Sequence, residues 1–153
     1  MDFGIKIEMI TFSDEAILSQ SLEFASAITL QAITPNGNTA MGAALNLLTQ
    51  IINDRQQLSS RSYRPVVILV SDGRPTDHWS SALKQFKEGP RTSKCQKLAL
   101  AIGDEAGEAL AEFVDSPKQV VNAKRPEDIV EFFKQVTMSV TSRTLSANPN
   151  IIE

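Results

Sequence analysis

Val66-Val-Ile-Leu-Val70 is an unbroken β-branched and aliphatic run that leads straight into Ser71-Asp-Gly-Arg-Pro-Thr-Asp77. Such a run is typical of a strand covered on both faces. From this point the chain alternates strictly. A helix over His78–Glu88 carries Trp79, Leu83 and Phe86 on one side. A buried strand over Gln96–Ile102 is ended by Gly103. A helix over Glu105–Val114, a short strand over Gln119–Asn122 and a helix over Pro126–Val140 follow. Pro126 suits a first helical turn, and Ile129, Phe132, Phe133, Val136 and Val140 form an apolar stripe. Strict β–α alternation predicts an α/β fold: an open, mostly parallel, Rossmann-like sheet with helices on both faces.

The chain ahead of Val66 reads differently. Ile5–Phe12 alternates and then turns apolar, as a strand does, and Ser13-Asp-Glu15 closes it. Ala25–Ile33 alternates less cleanly and is expected as a second, edge-like strand. Thr34-Pro-Asn-Gly-Asn-Thr39 is a loop. Ala40, Ala43, Ala44, Leu47, Leu48, Ile51 and Ile52 recur at helical spacing, so a helix is expected from Ala40 to near Gln57. The opening strand pair predicts an antiparallel edge hairpin near the N-terminus. The expected organisation is one domain over 1–141 and a polar tail over 142–153.

Composition narrows the function. The chain has 153 residues, 42% of them hydrophobic, which is ordinary for one globular domain with a real core. Fifteen Lys+Arg against 18 Asp+Glu give a formal charge of −3. That is not the basic footprint of a nucleic-acid binder. The single cysteine, Cys95, excludes an internal disulfide and a cysteine-based zinc cluster. No apolar run reaches the roughly 18 residues that a membrane span needs, and no signal peptide is visible. A cytoplasmic location is expected, with neither nucleic acid nor membrane as partner.

Several segments then come together as a pattern. Ile10-Thr-Phe-Ser13, Gly37-Asn-Thr-Ala-Met-Gly42, Tyr63-Arg-Pro-Val-Val67, Ser71-Asp-Gly-Arg-Pro-Thr-Asp77 and Ala101-Ile-Gly103 occur in this order. Together they resemble a von Willebrand factor A (VWA) domain, and more closely the bacterial intracellular group of the tellurite-resistance, TerY-like type. The resemblance covers roughly residues 4 to 141. It implies a protein–protein interaction module rather than an enzyme, with a scaffold or regulatory role in a tellurite-resistance or stress-type system. It also implies a metal-ion-dependent adhesion site (MIDAS), in which three loops hold a divalent ion, usually Mg²⁺ or Mn²⁺. A hard cation of this kind takes oxygen ligands in near-octahedral geometry. A partner protein can then present a carboxylate as the final ligand. Matched residue by residue, Thr39 corresponds to the second-loop threonine and Asp72 to the third-loop aspartate. The partner-facing loops would carry Ser13, Asp14, Asn38, Gly73, Arg74 and Asp77.

The resemblance is not complete. The first loop of the family is Asp-x-Ser-x-Ser, and this sequence holds no such motif. Ser13-Asp-Glu15 does not replace it, because it follows the wrong strand. The family's strand order, 3-2-1-4-5-6, would make the missing first strand central. Each buried backbone group left unpaired costs roughly 1–3 kcal/mol, against a net domain stability of about 5–15 kcal/mol. Three arrangements answer that cost. The strands on either side pair directly, another chain supplies the strand by addition or swapping, or Met1 is an internal methionine of a longer reading frame. In each case metal binding by this chain alone is expected to be weak or absent. A remnant without independent activity is the alternative to an interaction module.

Plainer roles compete at single positions. Asp72 before Gly73 is a good turn former. A haloacid-dehalogenase-type phosphohydrolase would place its nucleophile at such a strand end, but it needs an acid two residues on, where Arg74 stands. Thr39 is expected to cap the helix that starts at Ala40, and Asp77 to cap the one that starts at His78. Gly42 is expected to allow close helix approach. His78 reads as a surface residue, Trp79 as a packing residue, Cys95 as an inert core thiol, and Arg61 and Arg64 as solvent-facing charge.

Overall fold

The structure, a computed structural model, describes residues 6–24, 38–58 and 64–144. The chain divides into two compact units, 1–59 with 75–89 and 60–74 with 90–153.

In the first unit, β1 (Lys6–Phe12) and β2 (Ala16–Phe24) form an antiparallel hairpin. The pairs Phe12 with Ala16, Thr11 with Ile17 and Ile10 with Leu18 fix its register. The expected hairpin is present, but its second strand is not where it was expected. Ala25–Ile33 lies outside the described residues. The partner of β1 follows at once, because Ser13-Asp-Glu15 makes a tight three-residue connection. Its Ser13 N–H donates to the Glu15 carbonyl at 3.0 Å.

Helix α1 (Met41–Asn53) buries Met41, Ala44, Leu45, Ile51 and Ile52, with Leu47 and Leu48 half-buried. It stops short of Gln57 for a local reason. The Asp54 carboxylate accepts from Gln56 N–H at 2.9 Å, and its carbonyl accepts from Gln57 and Leu58 N–H. That Asx-type turn competes with helical bonding and takes the backbone out of the helix. Helix α2 (Trp79–Glu88) buries Trp79, Ala82, Leu83 and Phe86, a single stripe at i, i+3, i+4 and i+7, and packs on α1. Gly42 lies at the tightest point. A Cβ there would stand 2.9 Å from Asp77 Oδ1 and 3.0 Å from the His78 carbonyl.

In the second unit, β3 (Val66–Ser71), β4 (Gln96–Ile102) and β5 (Val120–Ala123) form a parallel sheet in the order β3-β4-β5. Helix α3 (Gly107–Phe113) joins β4 to β5, and α4 (Pro126–Thr144) follows β5. One sheet face, Ile68, Val70, Leu98, Leu100, Ile102 and Ala123, packs against Ile129, Phe132 and Val136 of α4. Residues on a strand alternate between faces, so Lys97 points the other way. Its Nζ lies 3.3 Å from Asp115, just beyond α3, which itself packs on β4 and β5. Helices therefore cover both faces, as the alternation predicts. Gly103 ends β4 with φ +80°, a conformation that disfavours any side chain. Helix α4 starts at Pro126 as expected and runs on to Thr144, past its expected end at Val140. Among the described residues, no helix is long and apolar enough to cross a membrane.

Candidate functional site

Three segments of the first unit are tied together at the N-terminus of α1. The Asn38 N–H donates to Asp14 Oδ1 at 2.9 Å, and the Ala40 N–H to the Ser13 carbonyl at 2.8 Å. These two bonds join the hairpin turn to the residues that lead into α1. The Thr39 N–H donates to Thr76 Oγ1 at 2.9 Å, and the Thr76 N–H returns a bond to the Thr39 carbonyl at 3.0 Å. The Asp77 carboxylate then accepts from Gly42 N–H at 2.8 Å and Ala43 N–H at 2.9 Å. Ser13, Asp14, Asn38, Thr39 and Asp77 are thus brought together within one unit, with Thr76 as an added member.

Two capping expectations are corrected here. Thr39 does not cap α1. The N-cap position is Ala40, which has no side-chain acceptor. The first N–H groups of a helix need partners, and Asp77 supplies them from a segment remote in sequence. A carboxylate suits that place because the helix N-terminus carries partial positive charge. For the same reason Asp77 does not cap α2, whose N-cap position, His78, makes no side-chain cap bond. Residue-type preference names good caps but not which helix end a side chain will meet. The Gly42–Asp77 contact decided it.

Asp72, Gly73 and Arg74 belong to the second unit, just after β3. The turn there is built by Ser71, whose hydroxyl donates to the Gly73 carbonyl at 3.1 Å and accepts from the Gly73 N–H at 3.2 Å. Asp72 is therefore not the side chain that holds the turn. It is exposed, as is Arg74, and among the described residues its carboxylate has no hydrogen-bond partner. The half-buried Thr39 likewise engages its backbone and not its hydroxyl. A hydroxyl and a carboxylate are the hard oxygens that Mg²⁺ or Mn²⁺ prefers, so each of these two residues is of a kind that suits such an ion. Among the described residues, no cluster of three or more His, Cys, Asp or Glu is placed to hold a metal.

The remaining positions are quickly placed. His78 and Arg64 are exposed and Trp79 is buried. Arg61 and Gly37 lie outside the described residues. Cys95 is buried, and burial pushes its thiol from an ordinary 9.0 up to about 11, against the opposing charges of Lys97 and Arg91. Thr76 is the residue that sequence reasoning missed. Its only signal is its place between Pro75 and Asp77, in a segment already read as a loop.

The model of the von Willebrand factor type A domain matches residues 3–135, and the chain belongs to that family. Among solved structures it is similar to a von Willebrand factor type A protein from Catenulispora acidiphila, at 16% identity and a TM-score of 0.64, covering 88% of this chain and 33% of that one. It is also similar to proximal thread matrix protein 1 from the mussel byssus with a zinc-occupied MIDAS motif. There the identity is 20% and the TM-score 0.62, covering 88% of this chain and 34% of that one. The chain therefore spans about a third of the length of these structures, and at such identities the likeness shows the fold. No curated protein matches the sequence.

Proposed function

We propose that this chain is a non-enzymatic protein-interaction domain of the VWA type that recognises a protein partner through its loops. The hydrogen-bonded platform of Ser13, Asp14, Asn38, Thr39, Thr76 and Asp77 carries this reading. Polar side chains and main-chain groups are locked there by bonds between three segments. A prearranged surface of that kind loses little entropy on binding.

In this reading Thr39 supplies a neutral oxygen and Asp72 a charged one to a divalent ion. The ion, when bound, offers an open position to a carboxylate of the partner. With only these two ligands from this chain, Mg²⁺ or Mn²⁺ is held weakly or not at all until a first loop is supplied from elsewhere. The motif pattern favours the TerY-like group, a cytoplasmic setting and a regulatory or scaffold role. Arg74 stands where a phosphohydrolase of the Asp72-nucleophile type needs its acid, which argues against that enzyme.

Calorimetric titration with Mg²⁺ and Mn²⁺ tests the metal part. The expected result is no stoichiometric micromolar site. A site of that strength that disappears in Asp72→Ala would overturn it.

A further inference from the structure

Beyond the proposed ligands, and resting on the reading of Thr39 as one of them, we infer that Asp77 is a positioning residue. Its carboxylate sets the geometry of the Thr39 segment from the loop beside it.

Four observations carry this. First, α1 has no cap of its own: Ala40 occupies the N-cap position with φ −76° and ψ 58° and makes no side-chain cap bond. Second, both Asp77 oxygens are engaged, Oδ1 with Gly42 N–H at 2.8 Å and Oδ2 with Ala43 N–H at 2.9 Å. A carboxylate used in this bidentate way is held in one orientation by two amides, one on each oxygen, with charge assistance from the helix end. Third, the site is shaped for that carboxylate. A methyl group on Gly42 would lie 2.9 Å from Oδ1 and 3.2 Å from Asp77 Cγ. Fourth, the residue before Asp77 makes the two-way bond with Thr39, at 2.9 and 3.0 Å. Thr39 is therefore bracketed. Thr76 holds its backbone, and Asp77 holds the helix turn that follows it. From sequence Asp77 was expected to cap α2 and to face a partner. Here its charge is spent on two amides of the chain.

Amide hydrogen exchange on the whole chain, followed by NMR, tests the inference without any metal. In Asp77→Ala, exchange at Gly42, Ala43 and Thr39 should rise by about tenfold, the scale of losing a helix cap. Added formate should restore slow exchange by occupying the vacated acceptor positions, whereas chloride at equal ionic strength should not. Asp77→Asn keeps one acceptor, so one of the Gly42 and Ala43 amides should stay protected. It also serves if the alanine variant does not fold. Faster exchange at Gly42 and Ala43 with Thr39 unchanged would make Asp77 a cap only and overturn the positioning role. Unchanged exchange at all three would overturn it entirely. A separate arm follows Mn²⁺-induced broadening of the Thr39 amide signal. In the chain joined to an Asp-x-Ser-x-Ser segment, broadening that Asp77→Ala removes and formate returns supports both readings. If that joined chain shows no broadening but the exchange results hold, the reading of Thr39 as a ligand fails and Asp77 still positions the segment.

Discussion

Asp72 and Cys95 show two ways in which a residue's surroundings decide its chemistry. Asp72 follows an aliphatic strand, and its exposed carboxylate leaves the turn to the Ser71 hydroxyl. Acid at a strand end was legible in the sequence. That the neighbouring serine builds the turn was not, because both residue types form such turns and aspartate is the stronger former. Cys95 was expected to be an inert core thiol, and it is buried. With its thiol pushed up to about 11 by burial, thiolate forms only at high pH. Alkylation by iodoacetamide at pH 8 should be slow in the folded chain and fast in denaturant, since the thiolate is the reactive form. A folded-state rate equal to the unfolded one would contradict this. The linkage has a definite sign. A thiol raised above its unfolded value contributes stability that is complete below pH 9.0 and is lost as pH rises towards about 11.

At the scale of elements, periodicity was the stronger guide and local polar chemistry the weaker. The α2 stripe of Trp79, Leu83 and Phe86 gained Ala82 and nothing else. In α4 the stripe divides. Phe132 is 6% exposed within the sheet-facing cluster, while Phe133, expected beside it, is 42% exposed. The two rings still meet edge to face, with centroids 5.3 Å apart. Phe132→Ala should therefore cost about 3–5 kcal/mol by opening a cavity. Phe133→Ala should cost no more than about 1 kcal/mol, mostly the ring pair. Equal losses in denaturant melts would refute the division. The hairpin shows the opposite lesson. Its existence was legible, but its second strand was expected at Ala25–Ile33, and the strand that pairs with β1 is Ala16–Phe24, where polar residues interrupt the alternation. Backbone pairing with β1 overrides that pattern, as it does in strands with one face against water.

For the whole molecule, the family assignment spans both compact units, residues 3–135. In the proposed reading a complete adhesion site draws on three loops, and Thr39 and Asp72 stand for two of them. Joining an Asp-x-Ser-x-Ser segment to the chain should therefore tighten Mg²⁺ binding at least about tenfold, because an added carboxylate and two hydroxyls fill positions that water otherwise occupies. Asp72→Ala should remove the gain. Unchanged affinity would mean that Thr39 and Asp72 do not form part of such a site. Partner capture that rises in parallel with the metal affinity would tie recognition to the ion.

Two kinds of information are separable in this protein. The sequence by itself determined the α/β class, the parallel order of alternating elements after Val66 and the faces on which most apolar residues lie. Those features follow from periods of two and 3.6 residues, which are properties of neighbouring positions along a chain. Only the tertiary structure decided that Asp77 serves α1 rather than α2, that Thr76 and Thr39 exchange bonds, and that Lys97 of β4 meets Asp115 just beyond α3. Hydrogen bonds of that kind join groups far apart in sequence, and nothing in local spacing selects one partner over another. A single absent Cβ at Gly42 made the choice for Asp77, by leaving room for a carboxylate at the start of a helix that had no cap of its own.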